Sequence, residues 1–260
     1  MVIDENANIK TTEKINQNTM VNNGTFYADI NKLAIEDKNS GIINDGVLYL
    51  NGSATNEAAA QNNLITTVSG NGVLYLSNNV VNTQNITQKE IHLIEKANDS
   101  SLKAKIKLNE GTKLAIKAEN LISNKPADEI DGNWIDVENE GSLNLSGNLL
   151  DVVIGKATDK EKGGLVNINS SISLGEKGKI RNNTVNINNN GVGLTVNADK
   201  ITNSVIYVND NSLTLTGGTL NSNVNGGKTN INGDVVLASS SNIASSVVNV
   251  AENKSLTIAA

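Results

Sequence analysis

From about residue 106 onward the chain alternates apolar and polar positions in short runs, and the runs recur in a fixed order. Val185-Asn186-Ile187, Leu194-Thr195-Val196 and Ile201 are followed by Ile206-Tyr207-Val208, Leu213-Thr214-Leu215 and Leu220. Each triplet has the period of two that marks a half-buried strand. Three strand-like pieces in roughly 20 residues are what one coil of a parallel β-helix needs, since a single coil cannot bury its own apolar face.

Read on that frame, the first strand of each coil falls at Ile106–Leu108, Ile135–Val137, Val166–Ile168, Val185–Ile187, Ile206–Val208, Thr229–Ile231 and Val248–Val250. Partner triplets fall at Leu114–Ile116, Leu143–Leu145, Ile172–Leu174, Leu194–Val196, Leu213–Leu215, Val235–Leu237 and Leu256–Ile258, and a shorter third element centres on Ile122, Leu150, Ile180, Ile201, Leu220 and Ile243. Stacked coils bring equivalent positions to about 4.8 Å, so Lys107, Asp136, Asn167, Asn186, Tyr207, Asn230 and Asn249 are predicted to form one outward row. One residue past each inward pair come Asn109, Glu138, Asn169, Asn188, Asn209 and Asn232. Asparagine tolerates left-handed backbone at such corners, and its amide can bond the same group one coil away. The long gaps, 123–133, 151–164 and 221–228, all fall between a third element and the next first strand, which predicts insertions at one corner.

Before residue 106 the pattern is looser. Val47-Leu48-Tyr49-Leu50 and Val73-Leu74-Tyr75-Leu76 repeat one another, with Tyr49 and Tyr75 predicted outward in one row. Residues 1–40 show no clear coil and read as a cap or irregular segment, leaving 41–260 as the repeat. The last residues, Ser255 to Ala260, stop inside a strand pattern without a polar cap, which points to a longer repeat cut at its C-terminus. The expected class is therefore all-β: a right-handed parallel β-helix, or solenoid, with loop insertions at one corner.

Composition narrows the picture. With 38% apolar and 2% aromatic residues among 260, the chain would build a poor compact core but has enough small aliphatics for a solenoid. Its 46 asparagines suit exposed ladders and turns. A net charge of −6 and a single arginine, Arg181, offer no basic stripe for phosphate, so nucleic acid is not expected as a partner. No cysteine is present, which excludes disulfides and thiolate metal sites. No apolar run reaches the 18 or so residues of a membrane span. The first residues lack a secretory signal pattern, so the chain is either cytosolic or has had a signal removed, and removal is the expected reason.

Candidate chemistry is sparse. His92, the only histidine, alternates with Ile91 and Leu93 and reads as an outward or loosely packed imidazole rather than a ligand or base. Asp128, Glu129 and Asp131, followed by Trp134 and Asp136, cluster carboxylates beside an aromatic platform, as glycoside cleavage or calcium binding would require. Alternation puts Asp136 on the solvated face, so a charged loop with Trp134 covering the coil beneath is the simpler reading. The loop 155–164 balances lysines against acids and carries no phosphate-binding pattern. Tyr49, Tyr75 and Tyr207 join Asp128, Glu129, Asp131 and Trp134 as candidate partner-binding residues; no catalytic, cofactor or metal residue is expected.

Asn44 to Gly52 (NDGVLYLNG), Asn139 to Gly147 (NEGSLNLSG) and Asp210 to Gly218 (DNSLTLTGG) resemble the Gly-x-Leu-x-Leu-x-Gly phrases of autotransporter passenger domains, exported by the type V route of Gram-negative bacteria. The resemblance covers residues 40–260. It implies a right-handed β-helix on the outer face of the bacterial envelope, or secreted, whose N-terminal signal and C-terminal barrel lie outside this chain. The Gly-x-Ser-x-Gly motif of protease-type passengers does not occur. The expected function is a non-enzymatic adhesin, or adhesin stalk, for a protein or glycan receptor on host or neighbouring cells. Two alternatives remain: a self-associating or toxin-like passenger, and a polysaccharide lyase or hydrolase on the same fold.

Overall fold

The computed structural model describes residues 1–11, 15–16, 19–29, 33–34, 41–51, 67–77, 85–94, 105–108, 113–124, 134–137, 141–155, 163–188 and 191–259. Among these the fold is all-β, with one 3₁₀ turn at Ala198–Lys200. Two compact units divide the chain: Met1–Leu108 with Lys113–Asp136, and Asn109–Thr112 with Val137–Ala260.

In the N-terminal unit, strands pair in parallel with their equivalents one repeat away. A first face contains Val2–Ile3, Thr19–Asn22, Gly41–Asn44, Thr67–Ser69 and the starts of Asn85–Leu93 and Lys113–Ser123. A second contains Asn8–Lys10, Thr25–Asp29, Val47–Asn51, Val73–Ser77 and the ends of the same two long strands. Ile15–Asn16 and Leu33–Ala34 form a separate parallel pair. Parallel neighbours cannot be joined by a tight hairpin, so every pairing spans a full crossover of chain.

Alternation sorts the side chains. Met20, Ile42, Val68, Ile86 and Ile116 stack inward from the first face, and Phe26, Leu48, Leu74, Ile91 and Leu121 from the second, all 3% exposed or less. Ile122, expected as an inward third element, instead stands in register with His92 while Leu121 takes the buried position. The corner between the faces carries Asn22, Asn44 and Gln88, buried and hydrogen-bonded across repeats. Beside it Gly46 and Gly72 pack directly on backbone: a Cβ on Gly72 would lie 2.3 Å from the Gly46 carbonyl oxygen, leaving room for no side chain.

The C-terminal unit has three such faces. The first aligns Ser142–Leu145, Leu165–Ile168, Thr184–Ile187, Val205–Tyr207, Asn223–Asn225 and Asn242–Ala244. The second aligns Leu149–Leu150, Ile172–Ser173, Gly193–Val196, Ser212–Leu215, Lys228–Ile231 and Val247–Val250. The third runs from Val153–Ile154 through Ile180–Arg181, Ile201–Thr202 and Gly218–Leu220 to Val235–Leu237 and Leu256–Ile258.

Three expectations are corrected by this register. Leu143–Leu145 and Leu150 each sit one face away from the assignment made from sequence, as do Thr229–Ile231, Val248–Val250, Val235–Leu237, Leu256–Ile258 and Ile243. Residues 221–228 are not an insertion: Asn223–Asn225 form a strand on Val205–Tyr207. The outward row on the first face is Asn144, Asn167, Asn186, Tyr207 and Asn225, whereas Asn230 and Asn249 belong to the second face beside Thr195 and Thr214. The shared reason is that each triplet alternates identically, so periodicity alone does not fix its face. The side chains of Lys107 and Asp136, and the loop residues 125–133 and 156–162, lie outside the described residues.

Amides bond along and between the rows. Asn167 Nδ2 donates to Asn144 Oδ1 at 2.9 Å, Asn188 Nδ2 to Asn167 Oδ1 at 3.0 Å, and Asn249 Nδ2 to Asn230 Oδ1 at 3.1 Å. The corner residue Asn209 has the expected left-handed backbone, φ 53°, but its amide bonds the Ile187 carbonyl rather than another corner amide.

Candidate binding face

Strand alternation turns Leu48 and Leu50 inward and leaves Tyr49 outward between them; the same holds for Tyr75 between Leu74 and Leu76, and for Tyr27 between Phe26 and Ala28. The parallel register then places Tyr27 on Tyr49, Tyr49 on Tyr75, and Tyr75 on His92. Because no residue is slipped, the four rings stack. Centroids are 4.5, 4.6 and 4.8 Å apart and the planes differ by 7°, 9° and 22°. These spacings repeat the strand separation of a sheet, so backbone pairing sets the ring geometry. Lys10 precedes Tyr27 in the row and Ile122 follows His92.

Ring faces in the row are taken up by one another. What solvent meets is a line of ring edges and phenol oxygens, with Tyr27 38% exposed and Tyr49, Tyr75 and His92 half-buried. Thr25, Val47, Val73 and Glu90 form the neighbouring outward row. Glu90 Oε2 lies 3.1 Å from His92 Nε2, which orients the imidazole at the end of the stack. Burial raises the Tyr49 hydroxyl above its ordinary value, and the adjoining phenols of Tyr27 and Tyr75, with a hydrogen bond to Tyr27, push the same way. The face offers mixed apolar and hydroxyl contacts, the combination that makes tyrosine common at interfaces.

Of the residues predicted from sequence, Tyr49 and Tyr75 are brought together as expected. Tyr207 is 43% exposed in the C-terminal unit, in register with Asn186 and Asn225. Trp134 opens the strand Trp134–Val137, but its side chain, like Asp128, Glu129 and Asp131, lies outside the described residues. Tyr27 and His92 were missed as members of the row. A signal for Tyr27 exists, since Phe26-Tyr27-Ala28 follows Asn23-Gly24 much as Leu48-Tyr49-Leu50 follows Asp45-Gly46. Among the described residues no group of three or more His, Asp or Glu side chains is placed to hold a metal ion. No protein-family model, curated protein or solved structure matches the chain at a significant level.

Proposed function

We propose that this chain is a non-enzymatic passenger of the autotransporter type, displayed on or released from the bacterial surface, acting as an adhesin or the stalk of one. On this reading the parallel columns of each unit form a right-handed parallel β-helix, the hand that crossovers between parallel strands adopt as a rule. The observation that carries the reading is the parallel, in-register stacking of repeats, which turns single outward side chains into continuous rows. The Tyr27–Tyr49–Tyr75–His92 face is its binding surface, and the partner is a protein or glycan receptor on host or neighbouring cells.

The test is binding of the labelled chain to cultured host cells and to a glycan array. Tyr49→Ala with Tyr75→Ala is expected to abolish capture, and Tyr207→Ala to leave it intact. Capture that survives the double change would remove the tyrosine face as the binding surface, and absence of capture by the unsubstituted chain would sink the adhesin assignment.

A second reading, self-association, has its own support. On the first face of the C-terminal unit Asn144, Asn167, Asn186, Tyr207 and Asn225 fall in register as one outward row, with Tyr207 43% exposed. A column of amides with an exposed phenol can meet the same column of a second copy through polar and aromatic contacts.

A further inference from the structure

Three of the four tyrosines in the chain meet in one stack, and the chain holds no cysteine. A disulfide between repeats is therefore impossible, and the phenols are the groups that oxidation could join. We infer that the Tyr27–Tyr49–Tyr75 row is an oxidative cross-linking site, where a one-electron oxidant couples adjacent phenols into dityrosine and ties neighbouring repeats together covalently.

The geometry suits the step. Coupling begins when each of two phenols loses one electron and one proton to become a phenoxyl radical. An ortho carbon of one ring then bonds to an ortho carbon of the other, and the two ring hydrogens shift to oxygen, restoring both hydroxyls. With hydrogen peroxide as oxidant and a haem peroxidase as catalyst, two tyrosines and one peroxide give one dityrosine and two waters. Rings 4.5 and 4.6 Å apart and within 9° of parallel hold the coupling partners face to face. Such confinement replaces a diffusive encounter with an intramolecular one. Tyr27, 38% exposed, provides the accessible edge from which an electron is first removed. His92 stacks on Tyr75 but has no phenol to couple, so the bond forms between Tyr27 and Tyr49 or between Tyr49 and Tyr75. Tyr207, whose neighbours in register are Asn186 and Asn225, has no partner of this kind. The inference stands on the row itself and does not depend on the adhesin reading.

The experiment treats a dilute solution of the 260-residue chain with a haem peroxidase and hydrogen peroxide. It reads dityrosine fluorescence, intact mass and the linked peptides. Expected is a monomer lighter by two hydrogen atoms, with Tyr49 joined to Tyr27 or Tyr75. Tyr49→Phe keeps a ring in the stack but separates the remaining phenols by two repeats, so the intramolecular product should be lost; Tyr207→Phe should leave its yield unchanged. Linkage chiefly between chains through Tyr207, an undiminished yield in Tyr49→Phe, or absence of dityrosine in the unsubstituted chain would overturn the inference. Peptide mapping of the unsubstituted chain decides the matter even where Tyr49→Phe folds poorly.

Discussion

Asn44 shows how much one side chain carries at a corner. Wholly buried, it accepts a hydrogen bond from Asn22 Nδ2 at 2.7 Å and donates to the Val73 carbonyl at 3.1 Å and to Gln88 Oε1 at 2.6 Å. The donors all point toward later repeats, so replacing one member strands the groups on both sides. Asn44→Leu should cost about 1–3 kcal/mol for each buried polar group it orphans. A lower urea midpoint at unchanged slope would report it. Asn230→Ala, on a solvated row, should cost about 0.5 kcal/mol or less. Tyr49 adds a pH dependence at the same scale. Its hydroxyl titrates higher in the folded chain than in the unfolded one, mainly through burial and then through Tyr27 and Tyr75. The folded state therefore holds the proton longer, and its advantage, complete below pH about 10, declines as pH rises through the folded value. Denaturant titrations on either side of pH 10 should show this loss in the parent and a smaller one in Tyr49→Phe.

At the scale of elements, the corners decide how the chain is divided into faces. Ile201–Leu215 is one continuous strand of 15 residues, yet it serves all three faces of the C-terminal unit in turn. It turns at Asn203, φ 52°, and Asn209, φ 53°. Those left-handed positions cost a residue with an ordinary Cβ about 1–2 kcal/mol. Asn209→Ala should pay that penalty and lose the bond to the Ile187 carbonyl, whereas Asn209→Gly should recover part of the loss; thermal unfolding of the pair separates the two contributions. The asparagine content foretold such corners, and the alternation foretold most strands. The face of each strand was harder to read. Leu143–Leu145 alternates as cleanly as Val166–Ile168, and only their direct pairing reveals that they share a face. The Tyr49 and Tyr75 row was legible because both sit in the same Val-Leu-Tyr-Leu phrase. Tyr27 was hidden by its different inward neighbours, Phe26 and Ala28, and His92 by the change from phenol to imidazole. A register that spans 17 to 30 residues, from Tyr75 to His92 and from His92 to Ile122, leaves no fixed period by which to find them.

For the molecule as a whole, the question is whether its repeats satisfy their own interior. In the N-terminal unit they do along both faces, where the aliphatic rows from Met20 to Ile116 and from Phe26 to Leu121 are closed to water. In the C-terminal unit Val166, Val185, Ile206 and Val224 close the first face in the same way, and the outward row beside them, Asn144, Asn167, Asn186, Tyr207 and Asn225, is what a second copy would meet. Self-association through this surface should weaken when Tyr207 and Asn225 are both changed to Lys, because like charges would then face each other across the contact. Stability of the single chain should change little, since neither side chain is buried. Sedimentation equilibrium across a concentration series should show the parent gaining mass and the double variant remaining a monomer. Equal masses for the two at every concentration would remove self-association from this surface and leave the stacked tyrosine face as the site of recognition.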